Sequence, residues 1–434
     1  MQSVFLDFNL PNATTWFYLS ALLAIALFFK FSRLLSLRNW DVVTLFLLVP
    51  GLLLINWGHL VDSDPAAKRA IWLGYLWLIS GSAYFFVRCL IDLALVRRPT
   101  PEPNLNRAGL TWLLGTLFVC LGGAAIRKPP EPDVGRGSAV LDKAQDAAAE
   151  IVTQTAGEPI DGHGTRFWVE RSLAGCCHLA VVIALIMVGV WHFQDVSAGI
   201  AAATLYLLLP YIAYHVTQIH HVWPTVFLLW AIVAYRRPAI AGLLIGIAVG
   251  SLVFPIVTLP VWIGFYWGRG VRRFLGGIVL AVLACLTLTG VLLWLDGSLP
   301  ANLQQSLGLS DWQPWKVPNA EGFWTGVHWA YRIPVFVGYV SFVVLTAFWP
   351  SPKSLAHLLA LCSANLIGLQ FWYADHGGVY VLWYLPLVLL LVFRPNLSDR
   401  RPPLLPAGPD WIGRGVAGIG SFAIRRFRPM PRVG

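Results

Sequence analysis

Residues Leu205 to Trp267 read LYLLLPYIAYHVTQIHHVWPTVFLLWAIVAYRRPAIAGLLIGIAVGSLVFPIVTLPVWIGFYW, and this stretch decides the fold class. Long apolar runs flank a polar, histidine-rich elbow (His215, Gln218, His220, His221). A basic turn follows (Arg236, Arg237, Pro238), and then a glycine-rich pair of segments bent at Pro255. A bilayer offers the backbone no water to bond with, so apolar runs of this length close their own hydrogen bonds as helices. Polar side chains gathered between such runs need a partner or a task.

The rest of the chain repeats the pattern. Of its 434 residues 57% are hydrophobic and only 12% charged. The mean hydropathy is +0.66, so there is more apolar surface than a soluble core can hide. The expected fold is all-α, a polytopic transmembrane helix bundle. Windows of about 19 residues place thirteen spans. They lie near Trp16–Phe31, Val42–Leu60, Ile71–Val96, Ala108–Ile126, Leu173–Phe193, Ser197–Tyr214, Val222–Tyr235, Ala239–Ser251, Val253–Trp267, Phe274–Leu295, Val335–Trp349, Leu355–Trp372 and Val379–Phe393. Residues 1–126 form a four-span segment and 127–172 an outer loop with a helix candidate around Val140 to Thr153. Residues 173–393 form a second bundle with an aromatic-rich outer loop at 296–334, and 394–434 a basic tail suited to an anionic inner leaflet.

The net charge is +10, but Lys and Arg sit in short turns and not in one stripe, which reads as topology and argues against a nucleic-acid partner. With the spans alternating, the turns at Arg33 and Arg38, Arg97 to Arg107, Arg236 and Arg237, Arg269 to Arg273, and Arg394 to Arg401 share one side. That places the N-terminus outside and the C-terminus inside a cytoplasmic (inner) membrane. All six cysteines lie in apolar runs without a CxxC pair, and adjacent Cys176, Cys177 and His178 point to different faces of a helix. The polar residues Asn9 to Thr15 precede the first apolar run, so no cleavable signal is expected.

Eight of the ten histidines (His59, His163, His178, His215, His220, His221, His328, His376) fall at or beyond the outer span ends, and His192 and His357 fall inside. Chemistry is therefore expected on the outer face. Asp62 and Asp64, in HLVDSDPAAKR, have the placement of a general base shielded from bulk water, or of a capping turn for the next helix. Gln218, His220 and His221 can meet a phosphate or a sugar hydroxyl, or sit at the headgroup boundary. Lys316 and Arg332 can neutralise a lipid phosphate, or pair with Asp311 and Glu321 in their own loop. Asp375 and His376 mark the last outer turn. An Asp/His site can take a divalent ion, though no ligand spacing specifies one. Arg88 and Asp92, four residues apart, read as a snorkelling pair, and the scarcity of other acids within spans argues against an ion-coupled transporter.

LLLPY (207–211), QIHH (218–221), YRRP (235–238), AGLLIG (241–246) and LVFP (252–255), with the final VYVLWYLPLVLLL, resemble the arrangement in GT-C superfamily membrane glycosyltransferases, in particular polyprenyl-phosphate-mannose-dependent mannosyltransferases. The resemblance covers about half the chain, mainly its second half. It implies inverting transfer of a mannose-like sugar from a polyprenyl-phosphate donor to a glycan or lipid acceptor on the extracytoplasmic side. Asp62 or Asp64 would then be the base, with Gln218, His220, His221, Lys316, Arg332, Asp375 and His376 binding substrate. The chain departs from the family pattern at Leu252-Val253-Phe254, where a Lys is usual before the Pro, and in placing its early acidic loop after the second span. The alternatives from other classes are a transporter or flippase with an outer vestibule and a non-enzymatic multi-pass scaffold.

Overall fold

The computed structural model describes residues 13–61, 65–95, 101–128, 139–156, 164–295 and 320–402. Asp62, Asp64, Arg97, Arg98, His163, Lys316 and the tail from 403 onward lie outside the described residues. Among the described residues there is no strand, and there are sixteen α-helices. Seven of the thirteen windows correspond to helices long and apolar enough to cross a membrane: Leu37–Leu60, Pro65–Asp92, Arg107–Arg127, Thr165–Phe193, Val271–Val291, Trp329–Phe348 and Leu355–Trp372. The chain is a multi-pass helical membrane protein. The other six windows hold shorter helices, and proline is the main reason.

In chain order the first helices are α1 (Ala13–Phe28), α2 (Leu37–Thr44), α3 (Val49–Leu60), α4 (Pro65–Asp92), α5 (Arg107–Arg127), α6 (Ala139–Ala156) and α7 (Thr165–Val188). Next come α8 (Val196–Leu208), α9 (Pro210–Tyr214), α10 (Ile219–Val233), α11 (Pro238–Ser251), α12 (Leu259–Phe265) and α13 (Val271–Leu295). The last are α14 (Arg332–Phe348), α15 (Leu355–Trp372) and α16 (Leu385–Phe393). Pro210, Pro238, Pro260 and Pro386 each sit in the first turn of a helix, where a missing N–H costs nothing. The same ring cannot continue a preceding helix, so the window Ser197–Tyr214 divides at Leu209 and the window Val379–Phe393 starts its helix only at Leu385. Pro224 lies inside α10. It withholds the helix bond from the His220 carbonyl, which accepts one from Trp383 Nε1 at 3.2 Å instead.

Burial sorts the helices into layers. In α15 89% of the apolar window is buried, against 11% in the window containing α14. All nine residues of α16 are buried, as are most of α8 and α10. These four make the centre, while Val279, Leu283 and Leu286 of α13 and Val337 and Val344 of α14 are exposed and form part of a belt for lipid. The tightest helix contact joins α11 to α13. A Cβ on Gly242 would lie 2.0 Å from the Phe274 carbonyl oxygen, and one on Gly277 2.3 Å from that of Ala239.

The end of the bundle that carries Arg394 is held by charge. Arg88 and Asp92 of α4 do pair, at 3.0 Å, but the snorkelling expectation is corrected: both are buried, at 4% and 2% exposure. Asp41 of α2 takes two further bonds from the Arg88 guanidinium (2.7 and 3.0 Å), and Arg394 reaches Asp92 at 2.6 Å. With partners supplied by three separate segments, neither side chain has reason to seek water. The two histidines expected inside spans also have structural tasks. His192 Nε2 lies 2.9 Å from the Val233 carbonyl, and His357 completes a capping box with Ser354 at the start of α15.

Lys353, in the turn before α15, is buried and donates to the carbonyls of Ala347 and Pro350 at 3.0 Å each. Burial lowers its pKa from 10.5 to about 8. Between those values the unfolded chain binds the extra proton, so stability rises with pH across that window. The Tm of the solubilised protein is expected to rise from about pH 7.5 to about pH 10, and Lys353→Met to remove that part of the rise. An identical pH dependence in wild type and variant would rule the assignment out.

Candidate functional site

Toward the opposite end of α4 from Arg88, four segments meet. His59 lies in the last turn of α3, Tyr75 lies on the buried face of α4, and the chain segments at 320–323 and 373–378 run past each other. His59 Nε2 is 3.1 Å from Glu321 Oε1, and the Tyr75 hydroxyl donates to the same oxygen at 3.4 Å. The Tyr75 hydroxyl also lies 2.6 Å from His376 Nδ1. Backbone bonds lock the arrangement. His376 N–H donates to the Glu321 carbonyl at 2.6 Å, and Glu321 N–H to Asp375 Oδ1 at 3.3 Å.

The DHGG turn has a steric cause. His376 has φ +53° and Gly378 φ +101°, left-handed backbone that only the second of them adopts without strain. A Cβ on Gly377 would lie 2.6 Å from the carbonyl oxygens of Gln370 and Tyr373. The glycines thus let the chain fold back tightly enough to set His376 against Tyr75, at a cost of order 1 kcal/mol in the histidine backbone. The group is open to solvent on one side only: Glu321 and His59 side chains are 36% and 40% exposed, whereas Asp375 is 16% and Tyr75 0%. Trp72 and Phe323 stack beside it, and Trp324 Nε1 anchors the segment to the Phe371 carbonyl at 2.9 Å.

A second group lies where the elbow meets α7 and α6. The rings of His215 and His221 stack at 4.0 Å, and His221 stacks in turn on Tyr380 at 5.5 Å. His178 Nδ1 is 2.9 Å from the Tyr206 hydroxyl, and His220 Nε2 is 3.1 Å from Asp142 of α6. Leu141, Gln145 and Ala149, spaced four apart, give α6 the buried face with which it lies against this end of α7. Burial first, then the nearby His221, holds the His215 pKa well below the usual imidazole value against the opposing bond to Gln218, with lesser help from Lys128 and His178. The ring is neutral at physiological pH. Tyr380 joins the two groups: it follows His376 by four residues, touches His221, and stacks on Trp383 at 4.3 Å.

Comparison of the chain with protein-family models, curated proteins and solved structures finds no match.

The residues singled out in the sequence divide as follows. Gln218, His220 and His221 come together, Asp375 and His376 come together, and Tyr380 links the sets. His220 and His221 are 4% and 2% exposed, so neither ring is presented to lipid or solvent. Arg332 is 6% exposed in the first turn of α14, and its guanidinium has no ion pair among the described residues. The alternative reading that it pairs with Glu321 is corrected, because that carboxylate faces His59 and Tyr75. One and two turns on from Arg332, Phe336 packs on Trp372 and Tyr339 bonds the Asn365 carbonyl, so this face of α14 is turned to α15. Asp62, Asp64 and Lys316 are outside the described residues; Asp62 follows His59 by three residues. Among the described residues no group of three or more His, Cys, Asp or Glu side chains is arranged to hold a metal ion.

Sequence reasoning missed Tyr75, Tyr380 and Asp142, and it took Glu321 only as an ion-pair partner. Tyr75 and Glu321 are 246 residues apart, so no local spacing could have joined them. The available signal was weaker: a histidine at the end of α3, a tyrosine ten residues into α4, and a glutamate in an aromatic-rich loop.

Proposed function

We propose that this chain is a membrane-embedded glycosyltransferase of GT-C-like type, which moves a mannose-like sugar from a polyprenyl-phosphate donor to a glycan or lipid acceptor outside the cytoplasmic membrane. The observation that carries the reading is the gathering of carboxylates, imidazoles and aromatic rings at the end of the bundle opposite the Arg88–Asp92 network. A lipid-linked sugar needs that combination: apolar helix surface for the polyprenyl chain, rings to stack on the sugar, and a shielded base for the acceptor hydroxyl. The basic turns favour thirteen spans with the N-terminus outside, which puts this end in the extracytoplasmic space.

In this mechanism Asp62 or Asp64 takes the proton of the acceptor hydroxyl as its oxygen attacks the anomeric carbon. The bond from that carbon to the phosphate oxygen breaks with inversion, and polyprenyl phosphate leaves with the electron pair. Arg332, buried without a carboxylate, is suited to balance the charge of the leaving phosphate, with Lys316 as the second cation. Glu321 acts as a positioning residue that orients His59 and Tyr75. A divalent ion, if used, would be held by Asp62, Asp64 and neighbouring imidazoles.

Asp62→Asn with Asp64→Asn is expected to reduce transfer in reconstituted liposomes by at least about a thousandfold, roughly 4 kcal/mol of barrier, without changing Tm. Unchanged turnover sinks the assignment of the base. A transporter would draw on the buried charges of α4, but Arg88 and Asp92 are both engaged within 3.0 Å by fixed partners. The transferase is the better-supported reading.

A further inference from the structure

Helices α11 and α13 run parallel. Gly242, Gly246 and Gly250 of α11 meet Phe274, Ile278 and Cys285 of α13 in that order, so both helices start at the same end of the bundle. The basic turns that open them are thereby brought side by side: Arg236 and Arg237 stand before α11, Arg272 and Arg273 in the first turn of α13. The Tyr266 hydroxyl donates to the Tyr235 carbonyl at 2.6 Å and ties the two turns together. Arg269, from the second turn, donates to the Pro402 carbonyl at 2.9 Å.

The result is like charge gathered without a local counter-charge. Arg236, Arg237 and Arg272 are exposed and form no ion pair among the described residues. Of the acids at this end, Asp41 and Asp92 are held by Arg88 and Arg394, Asp195 caps α8, and Asp399 pairs with none of these three. Neither helix has an acid in its first turn, the position where the helix dipole favours one. Membrane sidedness asks for basic residues in each turn, but it does not ask the two turns to meet. The parallel packing of α11 on α13 makes them meet.

One turn along the helices from these arginines the surface becomes apolar. Ile240 and Leu243 of α11 and Leu275 and Val279 of α13 are exposed. Trp267, in the second basic turn, is 74% exposed, which suits an indole at the headgroup boundary. A partner that fits is anionic at one end and apolar along its length. A phosphodiester lipid is both: its free oxygens match the guanidinium fork, and its acyl chains cover the aliphatic face below. A headgroup that carries its own ammonium brings a further cation to the cluster, and a nucleic acid would leave the aliphatic face bare.

We propose that Arg236, Arg237, Arg272 and Arg273 form a binding site for the headgroup of an anionic phospholipid at the shared start of α11 and α13, with the acyl chains lying along the two helices. The site does not depend on the transferase reading.

The test uses the full chain in detergent micelles, titrated with dioleoyl phosphatidylglycerol or dioleoyl phosphatidylcholine and read by native mass spectrometry. Wild type is expected to hold the anionic lipid at least about tenfold more tightly than the zwitterionic one. Combining Arg236→Gln, Arg237→Gln and Arg272→Gln is expected to abolish that preference. Combining Lys30→Gln, Arg33→Gln and Arg107→Gln removes the same charge from other turns of this end and is expected to keep it to within about twofold. Excess inorganic phosphate at matched ionic strength is expected to leave the lipid bound, because phosphate has nothing to lay on the aliphatic face. Equal affinity of wild type for the two lipids, an equal loss in the two variants, or displacement by phosphate overturns the site. The second of these outcomes reduces the effect to overall surface charge, and the third assigns the arginines to a free anion. The lipid comparison and the phosphate competition need only wild-type protein, so a variant that fails to fold does not blunt the test.

Discussion

Arg88→Met is expected to cost about 3–5 kcal/mol, enough to unfold a marginal membrane bundle or abolish its accumulation. Arg88 holds Asp41 through two parallel bonds of 2.7 and 3.0 Å and Asp92 through a third of 3.0 Å. Arg394 holds the other Asp92 oxygen at 2.7 Å and also donates to the carbonyls of Asp92 and Leu95. Two acids and two arginines, all no more than 4% exposed, cancel in charge while tying α2, α4 and the end of α16 together. Removing Arg88 leaves Asp41 a buried carboxylate with its principal partner gone, which is the expensive outcome. Arg88→Lys recovers little, since a single ammonium cannot reproduce the fork. Adding Asp41→Leu to Arg88→Met restores balance and should regain most of the loss. Thermal unfolding in detergent measures all three, and a loss below about 1 kcal/mol for Arg88→Met would show that the network carries no weight.

Gly242→Val is expected to cost at least about 3 kcal/mol. The valine Cβ would be placed 2.0 Å from the Phe274 carbonyl oxygen, and Gly246, one turn on, faces the Ile278 carbonyl at 2.8 Å. Those neighbours are backbone, so no side-chain rotation relieves the clash and the two helices must separate. In lipid no hydrophobic force draws them back, because the contact itself is the driving term. Gly115→Val, where a Cβ meets nothing within 4 Å, is the matched control and should leave Tm unchanged. Equal melting of the two variants would mean that α11 and α13 are not in contact in the membrane.

The same two regions show where sequence reading works and where it stops. Periodic apolar runs and the prolines at 238 and 255 marked most of the helices and breaks, because both effects act within a few residues, whereas the window Ser197–Tyr214 ran through the break at Pro210. Arg88 and Asp92 were legible as a pair for the same reason, being one turn apart. Asp41 and Arg394 were not, since nothing along the chain announces which distant helix end will lie beside them. The elbow histidines stood out as polar residues in an apolar stretch, yet their burial depends on α6 and Tyr380 closing over them from elsewhere. Glu321 was visible in its loop, but its expected partner was a cation of the same loop and its actual ones are His59 and Tyr75.

Composition and periodicity alone determined that this chain is a helical membrane protein with polar chemistry concentrated at helix ends, since an apolar run in lipid has only one way to satisfy its backbone. Which of those polar groups face each other, which are sealed from water, and which are left without a partner was decided by tertiary structure. Helix formation uses bonds four residues apart, whereas the meeting of Tyr75 with Glu321, or of His221 with Tyr380, depends on how whole helices stack and where glycine lets the backbone come close.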